Sequence, residues 1–66
     1  MKITVNGEKQ NLDSQMTVGE LLEKLGIDQE TVVIERNLDI LDRASHGEVA
    51  IEDGDTIEII RMVDGG

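Results

Sequence analysis

The chain has 66 residues, and its fifteen aspartate and glutamate residues against six lysine and arginine residues give a formal net charge of −9. This length allows one small domain with one hydrophobic core. The negative charge argues against nucleic acid and anionic membranes as partners, because both attract basic surfaces. It favours a partner with a basic docking site, but acidic residues spread along a chain are also typical of a surface that keeps a small protein in solution.

The composition also limits the kinds of site that the chain could carry. There is no cysteine, so the chain has no disulfide, no thiolate metal site and no cysteine nucleophile. There is no phenylalanine, tyrosine or tryptophan, so the core must be aliphatic and no aromatic side chain can stack on bases. No signal peptide and no apolar run of membrane-spanning length is visible. We therefore expect a cytoplasmic protein.

The first predicted element is a β-hairpin. Residues 2–6 alternate polar and apolar side chains, which is typical of a half-buried strand. Asn6-Gly7 is a strong signal for a two-residue type I′ turn, which needs positive φ at both positions. Residues 8–12 should return as a second strand, and their polar side chains, Lys9 among them, are typical of a sheet edge.

The best-marked element is a helix from about residue 18 to residue 25. Thr17 and Glu20 have the spacing of a capping box, in which each side chain accepts a hydrogen bond from the other residue's backbone N–H. Gly26 fits the left-handed position that ends many helices. An apolar stripe with helical spacing predicts the face that lies on the core; its members are Val18, Leu21, Leu22 and Leu25.

The second half of the chain predicts three more strands. Residues 31–35 are β-branched and nearly continuous, which is typical of a central strand. Residues 37–39 break this run, and Ile40-Leu41 is a candidate for a short strand. A tight turn at residues 53–55 then leads into a last strand over residues 56–60.

This order of elements predicts an α+β fold, in which one main helix covers one face of a mixed sheet of four or five strands. The first and last strands can pair in parallel at the centre of the sheet. This is the β-grasp arrangement. We predict a β-grasp domain over residues 1–62 and a flexible tail over residues 63–66.

Few side chains in this sequence could form a catalytic or metal-binding site without a partner protein. His46 is the only histidine, and it cannot form a triad without a nearby nucleophile. We expect it at the surface or in a turn, within an irregular segment over residues 44–50 that holds at most one helical turn. Glu52, Asp53 and Asp55 flank a glycine, but they lack the ligand spacing of an EF-hand. The chain therefore lacks the parts of an enzyme.

The end of the chain is its most specific feature. Gly65 and Gly66 have no Cβ atom, so they could enter a narrow channel and leave the last carboxylate unhindered. The five residues from Met62 to Gly66 reach about 17 Å at most when extended. The ending could therefore be a substrate for another protein's active site, or it could be an ordinary frayed terminus. Beside it, Ile60 and Met62 point away from the core face and form a candidate docking patch.

Four stretches occur in a particular order along the chain. They are residues 5–8 (Val-Asn-Gly-Glu), residues 17–22 (Thr-Val-Gly-Glu-Leu-Leu), residues 53–59 (Asp-Gly-Asp-Thr-Ile-Glu-Ile) and Gly65-Gly66. Together they resemble the ThiS family of sulfur carriers, which are ubiquitin-like proteins of thiamine biosynthesis. Each stretch is weak alone, and the resemblance comes from their order across the whole chain.

The resemblance implies a carrier rather than an enzyme. In this family an E1-like, ThiF-like enzyme uses ATP and Mg²⁺ to adenylate the terminal carboxylate, which is that of Gly66 here. Sulfur from a persulfide, such as that of a cysteine desulfurase, then replaces AMP and leaves a thiocarboxylate. A ThiG-like thiazole synthase takes the sulfur for the thiazole of thiamine. The chain itself is expected to bind no cofactor and no metal.

The resemblance also assigns roles to residues at the end of the chain, with Arg61 and Asp64 able to steer the tail. The predicted site residues are Val63, Asp64, Gly65 and Gly66 in the tail and Ile60, Arg61 and Met62 for docking. Two alternatives remain open. One is a sulfur carrier for molybdopterin or another sulfur-containing product, and the other is a β-grasp module that binds a partner and is never activated.

Overall fold

The computed structural model describes residues 1–62. The predicted flexible tail, with Val63, Asp64, Gly65 and Gly66, lies outside the described residues. Short 3₁₀ turns occur at Gln29–Thr31 and Arg43–Ser45. The main elements are β1 (Lys2–Val5), β2 (Glu8–Asn11), α1 (Val18–Leu25), β3 (Val32–Arg36), β4 (Asp39–Leu41) and β5 (Thr56–Arg61).

The strands form one five-stranded mixed sheet in the order β2-β1-β5-β3-β4. Strands β1 and β5 run parallel, and the other neighbouring pairs are antiparallel. The polar strand β2 lies at an edge, as its composition predicts, and β3 lies inside the sheet between β5 and β4. The predicted α+β class and β-grasp arrangement are confirmed, with β5 at the centre.

Two hairpins close with left-handed turn residues. Asn6 and Gly7 join β1 to β2 at φ values of 51° and 82°, which confirms the predicted type of turn. Asn37 and Leu38 join β3 to β4 in the same way, at 51° and 74°. Leucine is unusual there, because its Cβ atom crowds the backbone at positive φ. The sequence predicted only a break at this point.

Both ends of α1 follow the predicted capping pattern. The Glu20 N–H donates to Thr17 Oγ1 at 3.1 Å, and the Thr17 N–H donates to Glu20 Oε1 at 2.9 Å. At the other end Gly26 has a φ of 71°, and the Ile27 N–H donates to the Leu22 carbonyl at 2.9 Å. This is a Schellman motif, which satisfies carbonyl groups that the helix cannot pair itself.

The core lies between α1 and one face of the sheet. The prediction that Leu25 lies on the core is wrong, because this residue of the last helical turn is 39% exposed, whereas the other three members of the stripe are buried. The buried apolar residues are Ile3, Val5, Leu12, Val18, Leu21, Leu22, Val32, Ile34, Ile51 and Ile57.

No helix within residues 1–62 has the length and apolar character to cross a bilayer.

His46 lies in a turn that follows the 3₁₀ segment at Arg43–Ser45, which fits the expectation of a surface or turn residue, but it is buried rather than exposed. Its side chain is 1% exposed, and neither ring nitrogen has a hydrogen-bond partner among the described residues. Its backbone explains the position, because the His46 carbonyl accepts a hydrogen bond from the Gly19 N–H at 2.8 Å. This contact holds the segment after the turn against the start of α1.

Candidate docking face and root of the tail

Strand β5 leads to the predicted tail and is hydrogen-bonded on both sides. The Asn6 N–H donates to the Ile57 carbonyl at 2.9 Å, where β1 runs alongside. On the other side β3 pairs with β5 from Ile57 to Arg61. Just past the strand the Met62 N–H donates to the Thr31 carbonyl at 2.9 Å. The backbone is therefore held in the sheet up to Met62, the last described residue.

A buried carboxylate holds the start of β5. Asp55 is 5% exposed and accepts a hydrogen bond from the Glu52 N–H at 2.9 Å. It also accepts from Arg36 Nε at 2.8 Å and from Asn37 Nδ2 at 3.0 Å. Burial alone would raise the pKa of Asp55, but these hydrogen bonds and the charge of Arg36 lower it below its ordinary value. The ionised Asp55 thus ties the turn before β5 to the β3–β4 hairpin.

The face of the sheet opposite α1, here called the open face, carries an apolar patch at the root of the tail. The β3–β5 register places Val33 directly opposite Ile60, so both side chains lie on this face. Met62 lies two residues beyond Ile60 and faces the same way. Ile60 and Met62 are 44% and 46% exposed. We call Val33, Ile60 and Met62 the tail-root patch.

The structure separates Arg61 from the other two predicted docking residues. Arg61 is the register partner of Val32, which is buried in the core. Its side chain therefore leaves the opposite face of β5 from Ile60 and Met62, although it is exposed. The tail-root patch contains Ile60 and Met62 without Arg61, and a docking role for Arg61 stays a prediction.

A pair of like charges lies next to the tail-root patch. Glu35 and Glu58 are register partners on the open face, one row farther from the tail than Val33 and Ile60. Within residues 1–62 neither carboxylate forms an ion pair, since both ion pairs there belong to Arg36. Like charges directly opposite each other destabilise a sheet. Sequence reasoning missed this pair and Val33, because the strand register that brings them together is set by residues far apart in the chain.

The fold, with its open face beside Met62, defines a ubiquitin-like β-grasp protein. The crystal structure of a thiamine biosynthesis protein (ThiS) from Geobacter metallireducens matches with a TM-score of 0.87 and 35% identity, covering 100% of both chains. The model of the ThiS family matches residues 3–66. The chain therefore belongs to the ThiS family, which confirms the predicted resemblance.

Individual relatives agree with this assignment. The sulfur carrier protein ThiS of Bacillus subtilis is 36% identical over 50 residues, which are 76% of each chain. A thiazole synthase of Paramagnetospirillum magneticum is 46% identical over 66 residues, and one of Magnetococcus marinus is 38% identical over 66 residues. These matches cover 100% of this chain and 20% of each synthase, so the chain spans a fifth of the length of these two relatives.

Proposed function

We propose that this protein is a sulfur carrier of thiamine biosynthesis, acting as a cosubstrate rather than as a catalyst. An E1-like enzyme adenylates the carboxylate of Gly66, and sulfur then replaces AMP to give a thiocarboxylate. A thiazole synthase takes this sulfur for thiazole formation. ATP and Mg²⁺ are bound by the activating enzyme, and we place the reaction in the cytoplasm, where ATP is available.

The main support for the proposal is that the chain is fixed in the sheet, beside an exposed apolar patch, just before the tail begins. Backbone hydrogen bonds hold the chain as far as Met62. Met62 also belongs to the tail-root patch, which lies on the open face. The four residues that follow reach about 14 Å at most when extended. A partner that covers the patch could therefore receive Gly66 in an active site within that distance of its own docking surface.

The chemistry explains why an activating enzyme is needed. A carboxylate resists nucleophilic attack, because it is already negative and has no good leaving group. Attack of a Gly66 oxygen on the α-phosphate of ATP releases pyrophosphate and gives an acyl-adenylate, whose AMP is a good leaving group. A persulfide sulfur then forms a bond to the acyl carbon as AMP leaves. Reduction of the S–S bond by a thiol frees the thiocarboxylate.

The relatives support thiazole formation as the destination of the sulfur. Two proteins named thiazole synthase contain a stretch similar to this entire chain within a much longer polypeptide. A carrier and a synthase that are joined in one polypeptide fit two proteins that act one after the other. This favours thiazole over molybdopterin, which was one of the two alternatives that the sequence left open.

Intact-mass spectrometry tests the proposal. The chain is incubated with an E1-like activating enzyme, ATP, Mg²⁺ and a persulfide donor. We expect a mass gain equal to the exchange of one oxygen for sulfur, and its complete loss when Gly66 is deleted. An unchanged mass, together with partner affinity that survives removal of Gly65 and Gly66, would instead identify a binding module that is never activated.

A further inference from the structure

Strand β5 is longer than the strand that pairs with it on one side. In register, β1 pairs with β5 only at Thr56 and Ile57, because the chain turns back at Asn6 and Gly7. On the other side, β3 pairs with β5 as far as Arg61. The part of β5 nearest the tail is therefore a sheet edge on the β1 side, although β5 lies at the centre of the sheet.

The side chain of Asn6 marks the point where pairing on the β1 side ends. Asn6 Oδ1 accepts a hydrogen bond from the Ile59 N–H at 2.8 Å, in the place that a further residue of β1 would take. Backbone groups of successive residues point to alternate sides of a strand, so those of Ile59 and Arg61 face the β1 side. The Met62 N–H confirms this alternation, because it donates to Thr31 on the β3 side.

Two backbone groups on this side have no hydrogen-bond partner among residues 1–62. They are the Ile59 carbonyl and the Arg61 N–H, one acceptor and one donor. We call this pair of groups the free flank of β5. Unpaired groups in a row along a strand are a template for pairing with another chain. The free flank is therefore a binding site for extended polypeptide.

The side chains along the free flank favour pairing rather than prevent it. The edge strand β2 carries Lys9, and a charged edge residue discourages another strand from binding. Beside the free flank, by contrast, Ile60 and Met62 are about half exposed on the open face. A strand that pairs here places alternate side chains next to Ile60, so an apolar residue at that position adds contact to the backbone hydrogen bonds.

We propose that an extended segment of the enzyme that receives Gly66 pairs with the free flank and adds a strand to the sheet. This deepens the proposed function and rests on it. Only four residues follow Met62, and they reach about 14 Å at most. An enzyme that holds Gly66 in its active site must therefore lie close to the free flank. A strand bound there runs on beside the tail and directs it towards that active site.

Amide hydrogen exchange tests the proposal on the native chain. In the free protein the Arg61 amide should exchange fast, because its N–H has no partner among the described residues. The Ile60 amide lies in the ladder with β3 and should exchange more slowly. With saturating activating enzyme, we expect the exchange of the Arg61 amide to slow about tenfold or more.

The edge of β2 provides a matched control for this measurement. Thr4 is the register partner of Lys9, but its N–H donates to the Asp55 carbonyl on the β5 side. The Lys9 N–H therefore points away from β1, as an unpaired amide at an edge far from the tail. Its exchange should be fast in the free protein and should stay fast in the complex.

Two variants at one position separate the backbone from the side chain. Arg61→Ala and Arg61→Pro both remove the guanidinium, but only proline also removes the N–H. Proline is tolerated at a sheet edge, and the lost N–H has no partner in the free chain, so urea unfolding should show similar stability for both variants. Calorimetry with the activating enzyme should show about fivefold weaker binding for Arg61→Pro than for Arg61→Ala.

Three results would overturn the inference. One is an Arg61 amide that exchanges as fast in the complex as in the free chain, and another is equal affinity of the two variants. The third is slow exchange of the Arg61 amide that appears when the chain alone is concentrated, because the occupant would then be a second copy. Failure of the carrier function gives a different result, in which the native chain gains no sulfur.

Discussion

At the scale of single residues, His46 and Asp55 show how burial acts on two ionisable groups. Asp55 has three hydrogen-bond donors and stays charged. His46 has no partner for either ring nitrogen among the described residues. Burial lowers the pKa of His46 below its ordinary value, the positive charge of Arg43 adds to this effect, and a smaller contribution from the Leu41 backbone opposes it. The imidazole is therefore held neutral inside the fold.

The lowered pKa of His46 predicts how stability depends on pH. The unfolded chain takes up a proton near the ordinary value of 6.5, whereas the folded chain does so only at lower pH. The contribution of neutral His46 is thus complete above pH 6.5 and is lost as the pH falls below that value. Urea unfolding at about pH 7.5 and about pH 5.5 should show lower stability at the acidic pH.

Replacing the imidazole provides the control for this prediction. His46→Leu keeps an apolar group of similar size in the core, so the variant should remain folded and lose most of the pH dependence between those two values. The same decrease in the variant as in the native chain would contradict the assignment to His46 and would point to the carboxylates, which titrate at lower pH.

At the scale of elements, the capping box decides how firmly α1 begins. Thr17→Ala removes the oxygen that accepts from the Glu20 N–H at 3.1 Å. We expect the free energy of unfolding to fall by about 1 kcal/mol, because a helix N–H then loses its partner. Equilibrium unfolding in urea measures this change. Thr17→Ser keeps the oxygen and should remain close to the native stability, and an equal loss in both variants would rule out the cap as the cause.

Strand β5 is the element that links stability to function. Asp55 holds its start through Arg36 and Asn37, and β1 and β3 pair with its two sides. The alternation along β5 sends Ile57 into the core and Ile60 to the open face. One strand thus anchors the domain and presents the surface beside the tail.

At the scale of the whole molecule, the net charge of −9 should determine how fast the protein associates with the activating enzyme. Opposite charges speed association, and salt screens them over distances of about 10 Å at 0.1 M. We expect the association rate, measured by stopped-flow fluorescence, to fall about tenfold between 50 mM and 500 mM salt. The dissociation rate should change much less, because it depends on the apolar patch. An association rate that does not change with salt concentration would contradict a basic docking site on the activating enzyme.

Short-range rules let the sequence alone determine the elements and their ends. The Thr17 cap, the Gly26 stop and the Asn6-Gly7 turn each depend on residues within a few positions of one another, and each is confirmed. The order of strands and helix then favoured the β-grasp arrangement, because one helix and one sheet must cover each other's apolar faces. The sequence also singled out Ile60 and Met62 by alternation along one strand.

Only the tertiary structure decided which distant residues meet. It buried His46 through a backbone contact with Gly19, and it set Val33 opposite Ile60 through the register of β3 against β5. It also exposed Leu38 at the hairpin tip. The first two features depend on contacts between segments far apart in the chain, whereas Leu38 lies in a local turn. A shift of one residue in the β3–β5 register would send the Val33 side chain to the other face of the sheet.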